Sequence, residues 1–281
     1  GTAAPNTTGG APLSEYISFE SANRELESWN MLYTQQASDA NVITNLWDGL
    51  LSFDCYGKVA PAIASSWEHN EDSTVWTFHL RDDVHWVDCN GEVVAPVTAQ
   101  DFVDALKYVL TPDYAASNVG LVTGYIAGAD DYYSYHVYLN NANTGVVDED
   151  GTTYTVDADG VVTVAAPGAD PATYAPVDFE SVGVTAVDEH TLTYTLTYDF
   201  PGFLSLLCFL PYEPAYGPLL EEVGDQFATS AETTYSCGAF YLAEYESLET
   251  WIMKKNPENY DAANVFIDTI SRIYNAEASV N

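Results

Sequence analysis

The stretch SWEHNEDSTVWTFHLRDDVHWVDCNGEVVAPVTAQD, Ser66 to Asp101, carries the clearest local pattern in the chain. Trp76, Phe78 and Leu80 alternate with Thr77, His79 and Arg81. A period of two places the large apolar groups on one face of a strand and the polar groups on the other. Asn70–Ser73 supply a turn before this strand, and Val84 and Trp86 continue the alternation beyond Asp82-Asp83. Asn90-Gly91 marks a tight turn, because glycine adopts positive φ without steric penalty. Thr98 then reads as a helix N-cap, with Asp101 placed against the positive end of the helix dipole. An aromatic stripe at strand spacing is core, so these residues are expected to build the scaffold and not to touch a ligand.

Composition narrows the function classes. The chain has 281 residues, 47% hydrophobic and 17% charged, which suits a folded globular protein of one large domain or two small ones. Seven Lys and Arg face 42 Asp and Glu, for a formal charge of −35. Such a field repels nucleic acid and anionic lipid, and neither is expected as a partner. No stretch is long and apolar enough to span a membrane as a helix. The four cysteines, Cys55, Cys89, Cys208 and Cys237, allow three full pairings. Cys55–Cys89 with Cys208–Cys237 is the pairing expected here. No C-x-x-C occurs, which excludes a zinc ribbon or thioredoxin-like centre. G-x-S-x-G, H-E-x-x-H and a phosphate-cradling Gly-rich loop are also missing. The five histidines (His69, His79, His85, His136, His190) are scattered. His79 and His85 fall on successive strands without an evident carboxylate partner. No catalytic residue, metal or cofactor is expected.

Along the chain, GTAAPNTTGGAP (residues 1–12) is small, polar and Pro/Gly-rich, and reads as a flexible tether. Glu15–Phe19 is a strand candidate. Ser38-Asp39 offers an N-cap for a helix with Val42, Ile43, Leu46 and Trp47 on one face and Gly49 at its end. The helix from Ala99 carries Phe102, Val103, Leu106 and Val109, and Thr111-Pro112 stops it. Residues 140–176 read as a β-meander insertion, with Val and Thr runs broken by Asp-Gly turns. Asp148, Asp150, Asp157 and Asp159 invite a calcium reading. Neither DEDG nor DADG carries the full loop with its distal Glu, so ordinary hairpin turns are expected. Val182–Ala186 and Leu192–Leu196 read as a hairpin, and Thr269–Tyr274 as the last strand.

Taken together, Val75–Arg81 (VWTFHLR), Val97–Val103 (VTAQDFV), Pro61/Ala64/Ser66/Trp67, the D-x-x-G turn at Asp54/Gly57, Val182–Leu196, and Lys255/Asn256/Pro257/Tyr260 resemble the family 5 extracellular solute-binding proteins. These are the oligopeptide-, dipeptide- and nickel-binding components of ABC importers. The resemblance implies an α/β, periplasmic-binding-protein-like fold of type II, of the large cluster-C kind. It further implies that the chain is a first lobe with a packed β-rich subdomain, the second lobe being absent. On that basis, residues 13–46 and 178–281 are expected to form a discontinuous lobe core and residues 47–177 the subdomain.

The resemblance also implies the function: capture of extracellular oligopeptides or dipeptides between two lobes and delivery to a membrane permease. Alternatives left open are an oligosaccharide, nickel-chelate or haem ligand, or an adhesion or sensing role on the same fold. The implied ligand-binding segment is Gln35-Gln36-Ala37, which would pair through its main chain with a peptide backbone. Asn118 occupies a position where the peptide-binding members place a Tyr against the ligand. As a loop residue it reads slightly better as a turn cap. The implied setting is extracellular or periplasmic, as a monomer tethered to the membrane as a lipoprotein.

Overall fold

The computed structural model describes residues 14–21 and 25–275. The expected tether, residues 1–12, lies outside them. In chain order the first half forms β1 (Glu15–Ser21), α1 (Ala37–Ile43), β2 (Leu51–Phe53), β3 (Val59–Pro61), β4 (Ala64–His69), β5 (Val75–Leu80), β6 (His85–Val87), β7 (Val93–Pro96), α2 (Ala99–Val109), α3 (Gly120–Thr123) and α4 (Ala129–Thr144). The second half forms β8 (Thr153–Val156), β9 (Val162–Ala165), β10 (Ala172–Tyr174), β11 (Val184–Asp188), β12 (Thr191–Thr195), α5 (Phe203–Leu206), α6 (Gly217–Val223), β13 (Phe240–Glu246), β14 (Thr250–Lys255) and β15 (Thr269–Asn275).

Strand β5 behaves as its period-two pattern requires. Trp76, Phe78 and Leu80 are buried and the residues between them are half-exposed. The strand lies inside a four-stranded antiparallel sheet of order β11-β12-β5-β4. Phe78 stands opposite Trp67 on one side and Leu192 on the other. Its ring meets Tyr194 edge-on at 6.1 Å, and Phe203 of α5 covers both. The hairpin β11–β12 comes from beyond residue 177, so the domain division expected there cuts through a continuous sheet. The physical reason is that β5 had one edge to fill, and this hairpin fills it.

A second sheet, order β1-β15-β14-β13, joins the two ends of the described chain. β1 pairs in parallel with β15, Glu15 against Thr269. The insertion folds as an antiparallel sheet of order β10-β9-β8, the expected meander. It starts later than residue 140, because α4 runs on to Thr144. The Asp oxygens cap the meander's own turns: Asp157 Oδ1 accepts from the Asp159 and Val161 amides, and Asp150 Oδ1 from Thr152.

Helix α2 starts at the expected cap. Asp101 Oδ2 accepts the Thr98 amide at 2.7 Å, which satisfies one of the donors a helix start leaves open. Phe102, Leu106 and Val109 are buried as the spacing requires. Helix α1 differs. It begins at Ala37 with Gln36 as the cap, which puts Asp39 inside the first turn. It stops at Ile43, where Thr44 Oγ1 and Asn45 Nδ2 bond back to the Ala40, Asn41 and Val42 carbonyls. Leu46 and Trp47 are buried from the turn that follows.

All four cysteines are free thiols, so neither expected disulfide forms. Cys208 Sγ points to the Leu204 carbonyl and Cys237 Sγ to that of Asp48, on separate segments. Cys55 sits exposed after β2, and Cys89 lies half-buried in the turn between β6 and β7.

The junction before α4 depends on Gly128, which has φ of +71° and lies where an added Cβ would run into the Ser181 carbonyl. Gly128→Ala is expected to destabilise the chain by about 2 kcal/mol, from left-handed strain plus the clash. Urea unfolding at pH 7 would measure it.

Candidate functional site

The segment leading into α1 is built from a dense set of local bonds. Asn30 starts it: its carbonyl accepts from the Tyr33 and Thr34 amides, and its Oδ1 from Leu32. Asn30 Nδ2 donates to Tyr108 Oη on α2 at 3.0 Å, which fixes the segment against the helix. Burial pushes the Tyr108 phenol up to about 12, so it remains a protonated partner at neutral pH. Trp29, Met31, Leu32 and Thr34 are buried, and the chain then emerges at Gln35, Gln36 and Ala37, all exposed.

Asn118 comes to the same place. Its Nδ2 donates to the Thr34 carbonyl at 3.1 Å, and the neighbouring Ser117 amide donates to the Tyr33 carbonyl at 3.0 Å. The structure therefore brings together all four residues that the family resemblance singled out. Asn118 is 5% exposed, with its Oδ1 enclosed and without a donor. Its geometry is that of a clamp on the segment, one residue before Gln35, and not of an exposed contact.

The main-chain groups of the segment divide into two kinds. The Gln36 amide donates to Thr34 Oγ1 at 3.1 Å, and the Gln36 carbonyl accepts from Asp39 and Ala40. The Thr34 amide and carbonyl are used as well, by Asn30 and Asn118. Gln35 alone keeps both its N–H and its C=O without a protein partner among the described residues. Chemically this is an exposed residue able to exchange two main-chain hydrogen bonds with an extended ligand, as one strand edge does with another.

Two residues that sequence reasoning missed organise this arrangement, Thr34 and Asp39. The nearest signal was Asp39 itself, read as part of a cap. Asp39 is fully buried and accepts from Thr34 Oγ1 at 2.8 Å, the Ser28 and Glu27 amides at 3.2 and 3.3 Å, and Ser38 Oγ at 3.3 Å.

A second polar cluster lies elsewhere. Asp48 accepts from Asn259 Nδ2 at 2.8 Å, and burial pushes its carboxyl up to about 6. Glu213 is buried with no donor to its Oε2; burial first, then the charge of Asp48, hold its pKa well above the carboxylate range. Burial likewise pushes the Cys237 thiol up, away from thiolate chemistry. Arg81 pairs with Asp83 at 2.8 Å and lies over the Tyr260 ring at 4.1 Å. The histidines do not converge: β5 and β6 belong to different sheets, and His79 meets Glu68 at 3.2 Å on the surface. Among the described residues no three His, Cys, Asp or Glu are grouped to hold a metal.

Comparison with known proteins identifies the family. The model of "Bacterial extracellular solute-binding proteins, family 5 Middle" matches residues 58–281. The oligopeptide-binding protein AliB of Streptococcus pneumoniae is 32% identical over 253 residues, which is 88% of this chain and 32% of AliB. The periplasmic oligopeptide-binding protein OppA of Salmonella typhimurium is 28% identical, over 88% of this chain and 37% of its own. Among solved structures, the substrate-binding domain of an oligopeptide ABC transporter from Bacillus anthracis superposes with a TM-score of 0.72 at 25% identity, over 94% of this chain and 42% of that one. Peptide-bound OppA of Listeria monocytogenes shares the fold, with a TM-score of 0.71. The chain thus spans about a third of the length of the curated relatives it matches. With VWTFHLR and VTAQDFV placed on β5 and α2, it belongs to the bacterial extracellular solute-binding proteins, family 5.

Proposed function

We propose that this chain forms one jaw of an oligopeptide receptor that serves an ABC importer, and that Gln35-Gln36-Ala37 pairs with the peptide backbone. The observation that carries the reading is the exposed Gln35, whose N–H and C=O both lack a protein partner among the described residues, between Thr34 and Gln36, whose main-chain groups are all bonded. Recognition through main-chain groups tolerates different peptide side chains, because every peptide offers the same backbone. The wider reading follows the family: a protein working outside the cell, held at the membrane by a lipid anchor, acting as a monomer and passing its peptide to permease subunits. The charge of −35 supports the exclusion of nucleic acid as a partner. We assign the chain no catalytic step.

Titration calorimetry of the full-length protein with tri- to hexapeptides, against disaccharides as controls, tests the proposal. Peptides are expected to bind and disaccharides not. Gln35→Ala is expected to leave peptide affinity unchanged, whereas Gln35→Pro, which deletes the amide donor, should weaken it about fivefold or more. An absence of heat with every peptide would remove the proposal.

A further inference from the structure

We infer that Thr34 and Asp39 are positioning residues for ligand capture: they hold the main chain of Gln35–Ala37 in its pairing shape before a ligand arrives. The inference rests on the reading that this segment pairs with a peptide backbone.

The pattern of spent and unspent groups points to it. At residue 34 the amide and carbonyl are both bonded inward, at residue 35 both are unpartnered among the described residues, and at residue 36 both are bonded again. That alternation is the signature of a strand edge, where every second residue presents its N–H and C=O to a neighbour. Here no neighbouring strand among the described residues creates the alternation. Side chains do. The Thr34 hydroxyl accepts the Gln36 amide at 3.1 Å and donates its own proton to Asp39 Oδ2 at 2.8 Å. Its direction is thus set by the carboxylate. Asp39 is itself fixed by amides of residues 27 and 28, which reach it from the preceding loop. Removing the hydroxyl leaves the Gln36 amide without a partner and the carboxylate with one donor fewer. The segment then loses the bonds that single out its extended form.

A receptor whose pairing edge is ordered in advance has less conformational entropy to lose on binding. Freeing two or three residues there should weaken binding by about tenfold. Because the bonds concern main-chain shape and not ligand side chains, the loss should be uniform across peptides of different sequence.

The test uses Thr34→Val, which keeps the shape and removes the hydroxyl, and Thr34→Ser, which restores it. Asp39→Asn provides a second variant that turns one acceptor oxygen into a donor. Amide exchange by NMR on this chain is expected to show Gln36 exchanging about tenfold faster in Thr34→Val and near the native rate in Thr34→Ser. Calorimetry on the full-length protein should show peptide affinity about tenfold weaker in Thr34→Val and Asp39→Asn, equally for peptides of unlike sequence, and recovered in Thr34→Ser. Faster exchange with unchanged peptide affinity would overturn the positioning role while leaving the peptide reading in place. A loss that Thr34→Ser does not recover, or that follows only a fall in melting temperature, would also overturn it. If the native full-length protein binds no peptide, the underlying reading fails first and this inference falls with it.

Discussion

Glu213→Gln is expected to leave the chain more stable than the native sequence at pH 8, and to flatten the fall in stability between pH 4 and pH 8. Glu213 is 5% exposed, its Oε2 meets no donor, and Asp48 adds a second negative charge nearby. Burial raises both folded pKa values, Asp48 to about 6 and Glu213 further above its ordinary value. An acid whose folded pKa lies above its unfolded one binds more protons folded than unfolded. Stability is therefore greatest below the unfolded pKa near 4 and is lost as pH rises through the folded value. For the half-buried Asp48 this is at most about 3 kcal/mol, since a shift of about two units corresponds to that energy before solvent screening. Glutamine keeps the volume, removes one charge, and relieves Asp48 of its repulsion. Urea unfolding of both proteins at pH 5 and pH 8 measures the effect as a difference of differences, which cancels the surface carboxylates. Equal pH slopes would count against the buried-pair account.

The second large effect is expected from Asp101→Ala, a loss of about 3 kcal/mol. One carboxylate oxygen of Asp101 serves three donors: the Thr98 amide at 2.7 Å, Thr98 Oγ1 at 3.2 Å and Trp86 Nε1 at 3.2 Å. The Trp86 side chain is fully buried, so its indole N–H has no water to turn to once the acid is gone. The Asp101 main-chain carbonyl accepts the Ala215 amide, which ties the segment before α6 to α2. Burial pushes the Asp101 carboxyl up to about 6 despite these donors. Part of the loss should accordingly be recovered at pH 8, where the native carboxylate is charged and less favourable. Thr98→Ala, which removes the hydroxyl and its methyl neighbour but leaves the carboxylate and the backbone amide, should cost about 1 kcal/mol. Thermal and urea unfolding of the three proteins at pH 5 and pH 8 would check the ranking.

The legible parts of the fold were those that depend on neighbours in sequence. Trp76, Phe78 and Leu80 announced β5 because alternation is a property of six consecutive residues. Thr98 and Asp101 announced the start of α2 because a capping box spans one turn. The hairpin Val184–Thr195 was equally readable as a hairpin, but not as the partner of β5, which lies more than a hundred residues away. The error at α1 has a comparable origin. Asp39 next to Ser38 looks like a cap, yet amides from residues 27 and 28 claim its carboxylate and pull it inside the first turn. The expected disulfides failed for a geometric reason, since a count of four says nothing about whether two Cα atoms approach within about 7 Å with facing Cβ vectors.

For the proposed site, the resemblance to a known family singled out Gln35–Ala37 and Asn118, and the structure gives them different surroundings. Gln35 keeps its main-chain groups without a partner among the described residues, while Asn118 is enclosed and donates to the Thr34 carbonyl. Local order in the sequence determined the strand β5, the capped α2, the meander turns and membership of the solute-binding family, because periodicity, capping and turn chemistry act over a few residues. Only the tertiary structure decided which hairpin completes the β5 sheet, that the four thiols form no disulfide, and that Thr34 and Asp39 bond to one another and to the Gln36 amide. Those outcomes depend on the distances between remote segments, which appear only when the chain has folded.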